Sequence, residues 1–402
     1  MPRLNAPFVV TTPELGSIYL NTQPHALTIS DNLHTTYSFD REGRLLSCFV
    51  GGQNYRCGLC GEILLKATLA GGKLRRRLRP DERADLLEAM HAAVTRLSTG
   101  LANHVPAEVH AWLTTVLAWD AARHTHDRQT FQTIYKPVSI VPPDQYQAVV
   151  VQATEGCSWN RCSFCTFYRD RPFRIKTPTE LRTHLQQIKT FLGRGLALRQ
   201  AVFLGDANAL IVPQPRLREL LAVLHDELPS ATPGVPRKLY AFLDIFGGEH
   251  KTTAQYAELG AAGVRRIYLG LESGDATVFD LLNKPGSPTA CLEVVRTIKA
   301  SGINVGIILL AGPGGATLAH QHVTQSLAAL AAMELTAGDL VYVSPLIVPA
   351  DGPYAQQARA LGLVPLDADG LASQLATLKV GAVAATAHRP KVALYHIEEW
   401  IY

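Results

Sequence analysis

The sequence predicts an α/β protein: a partial (βα)6 TIM-like barrel core preceded by a small N-terminal α+β region. Two observations predict it. From residue 148 onward, six apolar runs of strand character alternate with five helical patterns across short connections. Such alternation builds a parallel sheet with right-handed crossovers. Before residue 136 the order differs, with strands first and helices after, as in a separate α+β region.

Composition is that of an ordinary globular protein with ample core. The 402 residues are 47% hydrophobic and 18% charged, and the formal net charge of +4 is too mild to argue for nucleic-acid binding. The start, Met-Pro-Arg-Leu-Asn-Ala-Pro, has no apolar h-region, and no run of eighteen apolar residues follows. Neither a secretory signal nor a membrane span is expected, and a cytoplasmic location fits. Seven cysteines make an odd number, at spacings unlike a disulfide framework.

In the N-terminal region, residues 1–135, strands are predicted at Leu27–Ile29, Thr35–Phe39 and Leu45–Val50, the last two joined by the polar turn Asp40–Gly43. Helices are predicted over about 80–98 and 106–122, the first with Leu86, Leu87, Met90 and Val94 on one side. Pro137, Pro142 and Pro143 mark residues 136–147 as an extended linker. The barrel spans 148–350, with strands at 148–153, 200–204, 239–243, 266–271, 304–310 and 340–345. Its helices fall at 178–192, 215–228, 252–262, 289–300 and 318–334. Thr177-Pro178-Thr179-Glu180 is a capping box with proline at the first helical position, and Gly263 and Gly302 close two helices. Residues 351–402 form a C-terminal extension ending in an apolar, aromatic tail from Val392 to Tyr402, expected to pack on the core.

The chemistry concentrates in Cys157-Ser158-Trp159-Asn160-Arg161-Cys162-Ser163-Phe164-Cys165, directly after the first barrel strand. Thiolates at loop spacing hold zinc or an iron–sulfur cluster, and four would close either site. Three leave a position open, as a reactive centre requires. The motif alone does not separate iron–sulfur from a zinc site completed by a histidine. Its position does favour catalysis, because parallel barrels carry their chemistry at the C-terminal ends of strands. Cys57-Gly58-Leu59-Cys60, with Cys48 upstream, has no second pair to complete a metal site, and Cys291 reads as a buried hydrophobe.

Residues 148 to about 350 resemble the radical S-adenosylmethionine (SAM) superfamily, in particular its branch with an Elp3/MiaB/NifB-like core. Four features in order carry the resemblance. The first is the cysteine loop, spaced four then two where the commonest family spacing is three then two. The resemblance implies a [4Fe–4S] cluster on Cys157, Cys162 and Cys165, with SAM chelating the open iron and Phe164 beside the adenine. The second is Phe203-Leu204-Gly205-Asp206-Ala207-Asn208, where the family receives the methionine ammonium, so Gly205 and Asp206 become SAM contacts. The third, Leu269-Gly270-Leu271-Glu272-Ser273-Gly274, resembles the ribose-contacting segment through Glu272 and Ser273. Asp275 and Leu281-Leu282-Asn283-Lys284 continue it as the family does. The fourth, Gly302–Gly306 leading to Ala311–Gly314, matches the fifth strand, without a side-chain role.

The resemblance implies an enzyme that cleaves SAM reductively to a 5′-deoxyadenosyl radical, which takes hydrogen from a substrate, here expected to be a small molecule. The electron would come from a reductase such as a flavodoxin or ferredoxin. Two other readings stay open: an RNA-modifying enzyme with the same core, and a non-catalytic zinc or iron–sulfur protein. For RNA the candidate contacts are Arg75, Arg76, Arg77, Arg79 and the basic run from Arg169 to Lys176. The same run could steer an anionic group. His104, His110, His124 and His126 fit no metal spacing.

Overall fold

The computed structural model describes residues 7–31, 34–69, 72–244 and 250–402. The chain divides into two compact units, one of residues 1–138, 186–200 and 398–402, the other of 139–185 and 201–397.

In the first unit, the strands are β1 (Pro7–Thr12), β2 (Gly16–Thr22), β3 (Ala26–Asp31), β4 (Thr35–Asp40), β5 (Leu45–Val50), β6 (Gln53–Cys57), β7 (Ile63–Leu69) and β8 (Gly72–Arg77). They form an antiparallel sheet in chain order. Side chains alternate in and out, so one face carries Ile18, Leu20, Leu27, Ile29 and Phe39 into a core. Helices α1 (Pro80–Leu101) and α2 (Ala107–Leu117) cover it with Met90, Val94, Leu97, Val109 and Leu113. Each fully buried Leu or Ile contributes roughly 1.5–3 kcal/mol. The sheet is larger than the three strands read from sequence. Among the added strands, β8 contains the Arg75–Arg77 run, whose charges mask its strand character.

The helix predicted over 106–122 is two helices. Trp119 and Asp120 break it, and the Asp120 carboxylate accepts from Arg123 N at 2.8 Å to cap α3 (Ala121–Ile134). Tyr402 packs on Phe131 and Tyr135, at ring centroid distances of 5.9 and 5.4 Å.

The second unit is built on a parallel sheet. Strand β9 (Val149–Gln152) is followed by the short pair β10 (Thr154–Glu155) and β11 (Arg174–Ile175), then the first half of helix α4 (Pro178–Leu192), whose residues from 186 on belong to the first unit. Next come β12 (Ala201–Gly205), α5 (Gln214–Glu227), β13 (Lys238–Phe242), α6 (Thr253–Ala261), β14 (Val264–Glu272), α7 (Ala276–Leu281) and α8 (Pro288–Ala300). The chain continues through β15 (Asn304–Ala311), α9 (Ala319–Ala332), β16 (Leu340–Pro345), α10 (Pro353–Ala360), α11 (Ala368–Ala385) and β17 (Lys391–Leu394). The capping box forms as read: Glu180 N donates to Thr177 Oγ1 at 3.1 Å and Thr177 N to the Glu180 carboxylate at 2.7 Å. Gly263 and Gly302 take φ of +104° and +85° at their helix ends.

Strand order is β9-β12-β13-β14-β15-β16-β17, all parallel and sequential. Sequential order with one handedness of crossover puts every helix on one face. The opposite face is then covered by the curl of the sheet itself, the barrel arrangement. All six predicted strands are present, and β17 makes a seventh. Its four residues are too short and too exposed to stand out as an apolar run.

Inside the curl, Phe203, Phe242 and Tyr268 from three adjacent strands make an aromatic floor with centroids 5.1–6.2 Å apart. Gly306 is required beside it, since a Cβ there would lie 2.4 Å from the Tyr268 ring. Beneath the floor the Asp144 carboxylate accepts from Tyr268 Oη at 2.6 Å, Tyr342 Oη at 2.8 Å and Arg266 at 2.8 Å. The last part of segment 136–147 is thereby built into this unit.

Candidate active site

All seven parallel strands contribute to one cavity at their C-terminal ends. It is lined by Cys157, Cys162 and Cys165 after β9, Ala207 after β12, Asp244 after β13 and Glu272 at the end of β14. Leu310, Pro345 and Tyr395 line it from the ends of β15, β16 and β17.

The cysteine loop is held by its own short-range bonds. Gly156 opens it at φ +77°, where a Cβ would sit 2.8 Å from Pro172 O, so only glycine fits. Asn160, inside the longer first gap, takes the left-handed conformation at φ +51°. Its N–H points at Cys157 Sγ, 3.4 Å away, and its amide donates to Tyr168 O at 2.8 Å. The extra residue of the four-residue gap is thus absorbed in a turn. Arg169 donates to Cys162 O at 3.0 Å and Cys165 O at 3.2 Å. Ser163 Oγ donates to Leu281 O, Trp159 Nε1 to Asn283 O and Asn283 Nδ2 to Arg161 O, all at 2.7–2.8 Å. The loop is therefore stapled to the segment that follows α7.

Burial dominates the thiols. It raises Cys157 and Cys162, and pushes Cys165 up to about 11. Such thiols lose their protons to a bound metal rather than to solvent. No histidine is among the described lining residues. Among the described residues no three His, Cys, Asp or Glu side chains converge on a single ion-sized point. A zinc ion draws its sulfurs to about 2.3 Å from one centre. The Asn160 N–H turned to Cys157 Sγ is a contact of the kind iron–sulfur clusters use.

The structure brings together Cys157, Cys162, Cys165, Phe164 and Glu272, which all line the cavity. Phe164 also packs against Val278, Leu281, Leu282 and Tyr354. Gly205, Asp206 and Ser273 lie outside the lining. Thr154 Oγ1 donates to Gly205 O at 3.2 Å. The buried Asp206 carboxylate accepts from Gln152 Nε2 at 2.8 Å, Gly156 N at 2.9 Å and Arg171 Nε at 3.2 Å. Burial raises its pKa and Arg171 opposes the rise. Ser273 Oγ meets His322 Nδ1 at 2.8 Å and accepts from Asp275 N at 3.1 Å. Asp275 caps α7 through Val278 N at 2.9 Å. Of this motif, Gly270 and Glu272 line the cavity, and Glu272 alone brings a polar side chain to it.

Sequence reasoning missed the charged centre. Lys284 Nζ, with its side chain 2% exposed, lies 3.0 Å from Asp244 Oδ1 and 3.4 Å from Glu272 Oε1. Burial alone would lower Lys284, but the two carboxylates hold its ammonium above the ordinary range. Burial raises Asp244 and Glu272, and Lys284 pulls them back. Asn208 Oδ1 accepts from Asp244 N at 2.6 Å, and its amide donates to Ser158 Oγ at 3.3 Å, tying this centre to the cysteine loop. A carboxylate directly after the apolar run Leu239–Leu243 was the available signal for Asp244.

The basic runs are occupied. Arg171 pairs with Asp206 and Asp170, and Arg174 and Lys176 with Glu155. Glu155 is pulled down to about 2 against the effect of its burial. Arg76 pairs with Glu82, and Arg75 with Glu399. Cys57 and Cys60 lie in the first unit, and burial raises both thiols. Cys291 is buried on α8.

No curated protein sequence matches the chain. Among solved structures, coproporphyrinogen III oxidase (HemN) from Escherichia coli is similar at 13% identity and TM-score 0.44, covering 60% of this chain and 54% of that one. The radical SAM methyltransferase TsrM from Kitasatospora setae is similar at 16% identity and TM-score 0.40, covering 55% and 42%. The cobalamin-dependent radical SAM enzyme OxsB is similar at 17% identity and TM-score 0.38, covering 56% and 30%. The chain thus spans less than half the length of OxsB and TsrM. Residues 151–320 match the family model described as the Radical SAM superfamily, over the same stretch that carries the cysteine loop and the Glu272 segment. Through residues 151–320 the chain is similar to the radical SAM superfamily, enzymes whose cofactors are a [4Fe–4S] cluster and S-adenosylmethionine.

Proposed function

We propose that Cys157, Cys162 and Cys165 hold a [4Fe–4S] cluster and that the adjoining cavity takes SAM and a small-molecule substrate. One observation carries the reading: the three thiols share a cavity with a buried Asp244–Lys284–Glu272 centre at the C-terminal ends of the strands. When bound, the cluster supplies the single electron that breaks the carbon–sulfur bond of SAM to methionine and a 5′-deoxyadenosyl radical, which removes hydrogen from the substrate.

The chain's own residues supply position and charge. Two carboxylates against one ammonium leave one formal negative charge in the centre. That suits SAM, whose sulfonium and ammonium outweigh its carboxylate by one. Phe164 offers a flat apolar surface beside Cys165. Arg169 and Asn160 fix the loop without entering the chemistry. The apolar lining from Ile308, Leu310 and Leu346 keeps water from a reactive intermediate. The internal pairing of Arg76, Arg171, Arg174 and Lys176 argues for a small molecule over RNA. A flavodoxin or ferredoxin type of reductase would supply the electron, in the cytoplasm. Among the described residues no helix is long and apolar enough to cross a membrane.

The test is anaerobic reconstitution with iron and sulfide, followed by reduction, addition of SAM and quantification of 5′-deoxyadenosine. A variant with Cys157, Cys162 and Cys165 all changed to alanine is the control. The reading holds if only the wild type retains four irons, absorbs as a cluster and releases 5′-deoxyadenosine. Zinc on the wild type, or a cluster indifferent to SAM, would sink it.

A further inference from the structure

The cavity has two chemically different sides. Toward β13 and β14 it is charged, with Asp244, Glu272 and Lys284. Toward β15, β16 and β17 it is apolar, with Leu310, Leu346, Ile347 and Ile397. Two hydroxyl groups stand on this second side. Ser344 Oγ turns to Pro345 O at 3.5 Å. Tyr395 is 3% exposed and lines the cavity, yet its hydroxyl has no hydrogen-bonding partner among the described residues.

A buried hydroxyl without a partner costs folding free energy that a phenylalanine would avoid. Nothing about its placement is loose. Tyr395 N donates to Val343 O at 2.8 Å, extending the parallel ladder by one residue past β17. Its ring meets Tyr342 edge-on, with centroids 6.0 Å apart. A rigidly held phenol at the edge of a reaction cavity is a recognition group kept ready for a ligand.

We propose that Tyr395 is a substrate-binding residue, and that the substrate carries an apolar body with a neutral oxygen acceptor, such as a carbonyl, hydrogen-bonded to the Tyr395 hydroxyl. The proposal rests on the radical SAM reading of the cavity. Burial, with Tyr146, Tyr168 and Tyr342 nearby, holds the phenol protonated, so it donates rather than acting as a base. A charged substrate group would need a counter-charge on this side of the cavity, and the described lining there offers none.

Acetophenone and ethylbenzene test this, since they share size and ring and differ in the carbonyl. Titration against the full-length reconstituted protein, followed by ligand NMR, should show acetophenone bound about five- to tenfold more tightly. Tyr395→Phe should reduce that preference to less than about twofold and leave ethylbenzene binding unchanged. Ser344→Ala should keep the preference. The melting temperature of Tyr395→Phe should not fall, because the ring stays and only the unpartnered hydroxyl goes. SAM added to the unreduced protein, where it stays intact, should not displace acetophenone. Equal binding of the two probes by the wild type, a preference that survives in Tyr395→Phe, or displacement by SAM would each overturn the proposal. The wild type's own release of 5′-deoxyadenosine separates the two readings. Release without the carbonyl preference defeats this proposal alone, and the preference without release defeats the radical reading alone.

Discussion

Asp206 and Arg171 form an ion pair, 3.2 Å from Oδ2 to Nε, with both side chains at most 6% exposed. The same oxygen accepts from Gly156 N at 2.9 Å, the residue that opens the cysteine loop. Asp206 therefore anchors the loop to the end of β12, within the segment that resembles a SAM contact. Asp206→Asn removes the buried one of the two carboxylates on Arg171 and leaves Asp170, half exposed, as its remaining counter-ion, at a cost of about 1–3 kcal/mol. Urea unfolding should show that loss, and reconstituted protein should hold less iron per chain. Unchanged iron content would mean the loop does not depend on this pair.

Gly156→Ala tests the same turn from the backbone side. At φ +77°, with a Cβ only 2.8 Å from Pro172 O, alanine is both strained and obstructed. The expected loss is about 1–3 kcal/mol. Fewer irons should be retained than by wild type at equal protein concentration. Cluster absorbance equal to wild type would show that the loop can re-form without that conformation.

Lys284 is the shared counter-ion of Asp244 and Glu272. Lys284→Met keeps most of the volume but leaves two carboxylates facing each other in a buried site. Destabilisation of about 3–5 kcal/mol is expected by urea unfolding. The double variant Lys284→Met with Asp244→Asn should recover part of it, because one buried charge is removed with its partner. Failure to recover would place the role of Lys284 in packing.

His322 supplies a pH signature. Its Nε2 faces Leu310 O at 2.9 Å and must donate, so Nδ1 accepts from Ser273 Oγ. Burial lowers its pKa below the ordinary value. The unfolded chain then binds the proton more readily, so this stabilisation is complete above about pH 6.5 and is lost as pH falls below it. The slope approaches about 1.4 kcal/mol per pH unit. Comparison of urea unfolding at pH 7.5 and 5.5 should show a larger drop for wild type than for His322→Gln. Equal drops would mean that His322 titrates alike in both states.

What was legible in the sequence follows from local rules. Strand and helix periodicity, the Thr177–Glu180 capping box and the glycines at 263 and 302 are set by neighbours within a few residues, so the parallel unit could be read strand by strand. The three cysteines were legible for the same reason, since loop spacing puts their thiols within reach of one group. Asp120 as a cap was equally local, yet it was hidden by the apolar pattern that continues around it.

Contacts between distant segments were decided elsewhere. Asp206 and Ser273 carry the residue types of a ligand contact, but the fold turns them to Arg171 and His322, 35 and 49 positions away. Lys284, by contrast, is brought back by α7 to meet Glu272 and Asp244, a triad that no spacing along the chain announces. Strand β17 and Tyr395 join the cavity only because the sheet has a free edge beside β16 to receive them. Sequence by itself determined which elements form and which residues could do chemistry, because those depend on local geometry. Tertiary structure alone decided which of those residues spend their hydrogen bonds on the protein and which face the cavity, because buried polar groups are partnered by whatever the fold puts beside them.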